Sequence, residues 1–569
     1  MNINKTIDKT LKNANKEYHE AYECKNCAKD SDIERGIWTS NAEIGKLEKG
    51  GLPHYYDGDK TMLLPYAHTL VIGSTGTGKT EVFNKNCQKI CANIPDDKKP
   101  MFLITDAKGE TVGWGAPYLQ KRGYITKVLD MRDAHRTARH NPLTLIFDEY
   151  KESEDIRKAL GRNTFSSVFD GVKYKSVDMA RSAAESKMFD LLDSVERAIT
   201  EISFILVPFQ PNAKEQTWTD GARTMVKAIL WTMLRRSDDK KNPITRESFT
   251  LANLCRIAFS TDDDCEKIVS WLEKADDIMC VQNAISSVYN IRAKTTRDGY
   301  ISTLNTSLGE YASRAISAMT ATSDDIDIKE IARCDKPYAI FIVTDDRQKT
   351  TNSICMIFIN NLLNELMKTA DYSPTHSLAR DFVILADEFA NMPALPNITN
   401  KITTLRSRRI WMVMSIQSLN QLEMVYGKES SVIIKDNCDI HMFLGCNNDD
   451  TKVDFARSMG QKVGVKTAVQ IANDGNVSIS KGTENVPVVR KSDLDSLKLG
   501  EFYVRSRTSG NFKSYMMPHF MQKEPALTGV ESEDRAFRKF DQDAHAYNLY
   551  EVVRAEKATT TRKKFDFDF

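Results

Sequence analysis

Short apolar runs, each closed by a glycine or an acid, set the rhythm of the first part of this chain. His68-Thr-Leu-Val-Ile-Gly73 is one, and a helix-compatible stretch from Glu81 to Ile94 follows it. Pro100-Met-Phe-Leu-Ile-Thr-Asp106 is a second, and Ile125 to Leu129 before Asp130 is a third. Strand, helix, strand, helix, strand predicts a parallel α/β sheet. From about Glu149 to Ala332 the apolar positions recur at helical spacing instead. Trp218 to Leu234, Leu251 to Ala258, Cys265 to Leu272 and Asp277 to Ile291 carry this pattern. Only Phe204 to Val207 reads as a strand there, so an all-α domain inserted into the α/β domain is expected. Strand texture returns at Tyr338 to Val343, ending in Thr344-Asp345-Asp346, and a long amphipathic helix runs from about Thr351 to Met367. Asp381-Phe-Val-Ile-Leu-Ala-Asp387-Glu388 and Ile410 to Ile416 before Gln417 are the next strands. Ile440 to Leu444 and Phe502 to Val504 fit closing strands of the same sheet.

Composition narrows the picture. With 569 residues, 41% of them hydrophobic, the chain is expected to bury a large core and hold two or more domains. Against 79 basic residues stand 78 acidic ones, a net charge of +1, so any surface contacting DNA or RNA has to be local. Eleven scattered cysteines show no disulfide framework and point to a reducing compartment. Cys24-Lys-Asn-Cys27 has a ligand-like spacing but lacks a second pair, which favours two free thiols over zinc. No apolar run reaches the roughly 18 residues of a membrane span, and no signal-peptide core opens the chain, so a soluble, non-exported protein is expected.

The chemistry begins where the first strand ends. Gly73-Ser74-Thr75-Gly76-Thr77-Gly78-Lys79-Thr80 is Gly-x-x-x-x-Gly-Lys-Thr between a strand and a helix, the setting of a phosphate-binding loop. Its glycines let successive N–H groups turn toward phosphate oxygens, and the helix N-terminus adds a favourable dipole. Lys79 is expected to reach the β- and γ-phosphates of a nucleotide and the Thr80 hydroxyl to help hold Mg²⁺. Asp387 and Glu388 close an apolar strand, where buried carboxylates are costly unless they meet a cation or donors. Asp387 is therefore expected to bind Mg²⁺, directly or through water, and Glu388 to act as general base or orient the attacking water. Gln417 either senses the γ-phosphate or simply opens a loop. Arg406-Ser407-Arg408-Arg409 suits either an arginine finger, with Arg406, Arg408 and Arg409 as candidates, or an exposed basic turn.

Together these segments resemble the type IV secretion coupling proteins, the conjugative coupling ATPases. The resemblance runs through the loop at 73–80, Thr105-Asp106-Ala107-Lys108-Gly109-Glu110 (with Ala107 where the family has proline), and Arg139-His-Asn141-Pro142-Leu143. It continues with Thr217-Trp218, Ala386-Asp387-Glu388-Phe389-Ala390-Asn-Met392-Pro393, and Ser415-Ile-Gln417-Ser418-Leu-Asn-Gln421-Leu. Asn437-Cys438 and Phe443-Leu444-Gly445-Cys-Asn447 match in type and order, so the likeness covers roughly residues 50–525. It implies a RecA-like P-loop NTPase motor with a parallel-rich sheet, an inserted all-α domain, and ring-shaped hexamers with nucleotides between subunits. It also implies ATP hydrolysis that delivers relaxase-bound single-stranded DNA to the transfer channel. The implied partners are the relaxosome and channel components.

The expected organisation is a polar leader at 1–45, the nucleotide-binding domain at 46–150 and 334–525, the insertion at 151–333, and a tail at 526–569. Family members usually begin with transmembrane helices, and this chain has no such stretch. It is therefore expected either to derive from a longer anchored protein or to be recruited by a separate membrane protein to the inner face of the cell membrane. A monomer in isolation is expected alongside the active ring. Two rival functions are a double-stranded DNA translocase of the chromosome-partition type and a nucleotide-gated adaptor for protein substrates.

Overall fold

The computed structural model describes residues 36–162, 165–208, 217–261, 265–322, 325–344, 349–471, 477–522, 538–541 and 544–556. The Cys24/Cys27 pair, Asp345 and Asp346, and the last thirteen residues of the tail lie outside them. No helix among the described residues is long and apolar enough to cross a membrane.

The described chain opens with a small antiparallel sheet in the order β1-β3-β2, built from β1 (Ile37–Ser40), β2 (Leu52–Tyr56) and β3 (Lys60–Leu64). Part of the expected leader, Ile37–Ser40, is thus a strand of this sheet. The apolar runs then form one large sheet. Its first strands are β4 (Thr69–Gly73), β5 (Met101–Asp106) and β6 (Ile125–Asp130), and the chain leaves it for the helical insertion. That insertion includes a short hairpin, β7 (Val168–Phe169) and β8 (Val172–Lys173). The sheet resumes with β9 (Tyr338–Val343), β10 (Phe382–Ala386), β11 (Ile410–Ile416) and β12 (Ile440–Gly445). An isolated hairpin follows, β13 (Gln461–Ile471) with β14 (Val477–Pro487), beyond the strands that the apolar runs predict. Finally β15 (Glu501–Ser506) and β16 (Phe512–Tyr515) extend the β12 edge antiparallel. The order is β16-β15-β12-β4-β11-β10-β5-β9-β6, seven mutually parallel strands with β15 and β16 added at one edge through antiparallel pairings.

Both faces of this sheet are buried, which explains the unbroken apolar runs. Leu70, Ile72, Leu103, Ile340, Ile342 and Ile384 point into the core shared with the insertion. Val71, Phe102, Ile104, Phe341, Val383 and Leu385 point to the other side, onto β2, β3 and the helices Lys85–Cys91 and Val112–Gln120. Each fully buried side chain of this size contributes about 1.5–3 kcal/mol.

Between β6 and β9 lie the helices Thr144–Leu160, Val177–Leu206, Thr217–Arg235, Leu251–Phe259, Lys294–Gly309 and several shorter ones. Two of them approach closely through a reciprocal fit. A Cβ on Gly221 would stand 2.3 Å from Tyr300, and one on Gly299 would stand 2.2 Å from Trp218. The Phe204–Val207 run is not a strand. It ends the helix Val177–Leu206, where Val195, Ile199, Ile202, Ile205 and Leu206 are buried at helical spacing and Phe204 faces outward under the Arg223 guanidinium.

Residues 544–556, read in the sequence as tail, return to the insertion. Tyr547, Leu549, Val552 and Val553 join its core, the Trp271 indole donates to the Tyr547 hydroxyl at 3.1 Å, and Arg236 pairs with Glu556 at 2.9 Å.

Candidate active site

Parallel register brings the C-terminal ends of four strands to one edge. Ala386 lies beside Thr105 on one side and Met414 on the other, and Ile416 lies beside Ile72 just before Gly73. In open α/β sheets ligands bind at this edge.

Gly73 to Thr80 curls over it. Gly76 and Gly78 hold φ of 85° and 94°, a region that strains any residue with a side chain. Ser74 and Thr77 brace the loop from within. The Ser74 N–H donates to the Gly445 carbonyl at 2.8 Å, and the Thr77 hydroxyl donates to the Ser74 carbonyl at 2.8 Å. Thr75 and Gly76 are exposed at the crest. Beyond Gly78 the helix starts with a π-helical segment, Lys79–Asn84, and continues as Lys85–Cys91.

Lys79 is buried, with its ammonium donating to the Gly73 carbonyl at 2.6 Å and lying 3.4 Å from Glu388 Oε1. The Thr80 hydroxyl donates to Asp387 Oδ2 at 3.1 Å, and the Thr105 hydroxyl donates to the Asp387 carbonyl at 3.1 Å. The other Asp387 oxygen, Oδ1, is shut off from solvent and has no hydrogen-bond partner. Burial, helped by the neighbouring Glu388 charge, pushes the Asp387 carboxyl up to about 6, although Lys79 and the Thr80 hydroxyl pull the other way. Gln417, at the tip of β11, donates from Nε2 to Glu388 Oε2 at 2.9 Å. Lys79, Thr80, Asp387, Glu388 and Gln417, drawn from three strand ends, thus meet in one hydrogen-bonded cluster.

A family model described as Type IV secretory system conjugative DNA transfer matches residues 4–486 of the sequence. The chain belongs to this family. Curated protein sequences gave no match. Among solved structures, the plasmid coupling protein TrwB in complex with the non-hydrolysable ATP analogue ADPNP is similar, with a TM-score of 0.56 at 14% identity, over 90% of this chain and 98% of that one. The unbound bacterial conjugative coupling protein TrwBdeltaN70 aligns at a TM-score of 0.55 and 14% identity, over 88% of this chain and 97% of that one. TrwB in complex with ADP and Mg²⁺ aligns at 0.53 and 14%, over 87% and 97%. At such identity the likeness is one of fold: a RecA-like P-loop NTPase domain carrying an all-α domain.

In this conjugative-transfer family chain the arginines sit apart from the cluster. Arg406, Arg408 and Arg409 precede β11, whose seven residues span roughly 23 Å to the Gln417 edge. Arg408 is held by Asp371, with Nε donating to Oδ1 at 2.7 Å, and by the Thr404 carbonyl at 2.9 Å. Arg409 is held by Asp381 at 2.5 Å and by the Ala379 carbonyl at 2.9 Å, and Arg406 is exposed.

Asp106 serves the backbone. Its carboxylate accepts from the N–H groups of Gly109, Thr111 and Val112, each at 2.8 Å, and so caps the helix Val112–Gln120. Two polar side chains at the cluster went unremarked as site residues in the sequence. Asn391 donates to Glu388 Oε2 at 3.0 Å, and Gln421 donates to Asn391 Oδ1 at 2.6 Å. The available signal was spacing, since each follows a site residue by about one helical turn.

Proposed function

We propose that this chain is a Mg²⁺-dependent ATPase that couples hydrolysis to delivery of relaxase-bound single-stranded DNA into the transfer channel. The observation that carries this reading is the meeting of Lys79 and Thr80 with Asp387, Glu388 and Gln417 at one sheet edge. TrwB in complex with an ATP analogue, and with ADP and Mg²⁺, supports it at the level of the shared fold.

The residues suit a small hard cation. Asp387 Oδ1 is a buried oxygen lacking a partner, and the Thr80 hydroxyl adjoins the other oxygen. Oxygen donors of this kind are what Mg²⁺ takes, with water and phosphate completing its shell. Thr80 and Asp387 would hold it, and the bound ion supplies neutralisation of phosphate charge. Lys79, now resting on the Gly73 carbonyl and Glu388, turns to the β- and γ-phosphates. That exchange leaves Glu388 to orient the attacking water and accept its proton. Gln417, already bonded to Glu388, reports whether the γ-phosphate is present. An arginine finger would come from a neighbouring subunit of a hexamer, because those of the same chain lie at the far end of β11. Arg406 is the exposed candidate, whereas Arg408 and Arg409 already serve Asp371 and Asp381.

Measuring ATP turnover with Mg²⁺, with and without single- or double-stranded DNA, tests the reading. Lys79→Ala is expected to lose nucleotide binding or hydrolysis, and Glu388→Gln to bind ATP without turning it over. Normal turnover by Glu388→Gln would remove Glu388 from its role. Stimulation by duplex alone would favour the double-stranded DNA translocase.

A further inference from the structure

Glu388 sits in a strained backbone that its neighbours hold in place. Its φ is 52°, the left-handed region that a residue with a side chain enters only under constraint. The constraint comes from the turn that follows. Phe389 is buried and stacks on Tyr426, with ring centres 5.5 Å apart and planes 12° from parallel. The Leu395 N–H donates to the Tyr426 hydroxyl at 3.3 Å, and the Asn391 N–H donates back to the Glu388 carbonyl at 2.8 Å. The turn and the helix Leu419–Tyr426 therefore behave as one piece.

Within that piece, Glu388 Oε2 accepts two amide donors, Gln417 Nε2 at 2.9 Å and Asn391 Nδ2 at 3.0 Å. Its other oxygen, Oε1, faces Lys79. A primary amide has distinct ends, and whichever end is already engaged decides what the other presents. Asn391 Oδ1 accepts from Gln421 Nε2 at 2.6 Å, so its NH₂ must face the carboxylate. Gln421 is oriented in turn, because its Oε1 accepts from the Gln417 N–H at 3.2 Å. Glu388, Asn391, Gln421 and Gln417 form a closed ring, its last link being the main-chain N–H of Gln417, and each amide in it has one allowed sense.

We infer that Asn391 is a positioning residue for Glu388, with Gln421 setting which end of the Asn391 amide meets the carboxylate. The inference rests on the proposed ATPase reading and deepens it. With both amides on Oε2, the carboxylate cannot rotate about its last bond without losing two hydrogen bonds. Once Lys79 turns to a phosphate, Oε1 is the oxygen left to meet water, at a fixed place.

The test compares Asn391→Ala, Asn391→Asp and Gln421→Ala with the wild-type chain. Loss of this alignment is expected to lower kcat about 10- to 100-fold, the scale of a misplacement near 1 Å. KM, the Kd for a fluorescent ATP analogue and the melting temperature should stay as they are. Asn391→Asp keeps the shape but turns a donor into an acceptor, so it should be no better than Asn391→Ala. A second readout does not depend on turnover. Hydrogen–deuterium exchange over residues 388–392 should rise in Asn391→Ala while the rest of the sheet stays protected. Wild-type kcat in Asn391→Ala, a Kd that rises with KM, or unchanged exchange over 388–392 would each overturn the inference. A wild-type chain without ATP turnover would sink the ATPase reading instead, and the exchange measurement would still decide whether Asn391 holds the Glu388 turn.

Discussion

Asp387 shows what burying a carboxylate costs the ligand-free fold. Its carboxyl is pushed up to about 6 by burial and by Glu388, from an ordinary value of 3.8. A folded-state value above the unfolded one means that the native chain binds the proton more tightly. The stability it brings is present below about 3.8 and is lost as pH rises through about 6. At pH 8 the ionised carboxylate is therefore a net cost to the ligand-free fold. Asp387→Asn is expected to raise the melting temperature of the ligand-free protein at pH 8 while abolishing or greatly weakening Mg²⁺-dependent turnover, checked by thermal melts and a Mg²⁺ titration. Much of this cluster was legible in the sequence, because the loop at 73–80 is a contiguous motif and Asp387-Glu388 closes an apolar strand. Asn391 and Gln421 were not legible as parts of it. Their contribution lies in the sense of an amide, which depends on a partner thirty residues away in the chain.

Between elements, the least expected feature is a buried polar bridge. Lys401, on the helix Ile398–Leu405, donates to Asn360 Oδ1 at 2.5 Å and lies 3.4 Å from Glu201 Oε1. Asn360 and Asn364, on the helix Lys349–Asp371, both donate to Glu201 Oε2 at 2.7 Å. The bridge ties the insertion, through the helix Val177–Leu206, to the helix that follows the Asp387-Glu388 strand. Burial holds the Lys401 ammonium below its ordinary range, against the opposing pull of Glu201. Removing one partner strands the other charge, so Lys401→Met should destabilise by about 3–5 kcal/mol in urea unfolding. A Lys401→Met/Glu201→Leu double variant should recover much of that loss. Gly221→Ala tests the neighbouring helix crossing, where the added methyl meets Tyr300 and should cost about 1–3 kcal/mol in the same measurement. Helix spacing made the insertion readable in advance, whereas Phe204 to Val207 misled because four apolar residues in a row are too few to show a period. Nothing in a single sequence marks Gly221 and Tyr300 as facing each other.

For the molecule as a whole, the buried histidines set its acid limit. His54, His68, His140 and His441 are all pushed from 6.5 down to about 4, chiefly by burial. The unfolded chain thus binds protons that the folded chain refuses, and stability should fall as pH drops from about 6.5 toward 4. Thermal melts across that range check this, and a flat profile would contradict it. The sheet class and the order of its strands along the chain were readable from the apolar runs, but the return of residues 544–556 to the insertion was not, since its apolar residues are interspersed with charges. Strand order carries a last consequence, in time rather than space. β4 and β5 never touch, because β10 and β11 lie between them. A ribosome adding 5–20 residues per second takes roughly 14–55 s to pass from the end of β5 to the start of β10. Through that interval β4 and β5 are out in the cell with apolar flanks and no native neighbour beside either on the β10–β11 side. Synthesis of this chain should therefore lean on chaperones that hold unpaired strands, and slowing translation should lower its soluble yield.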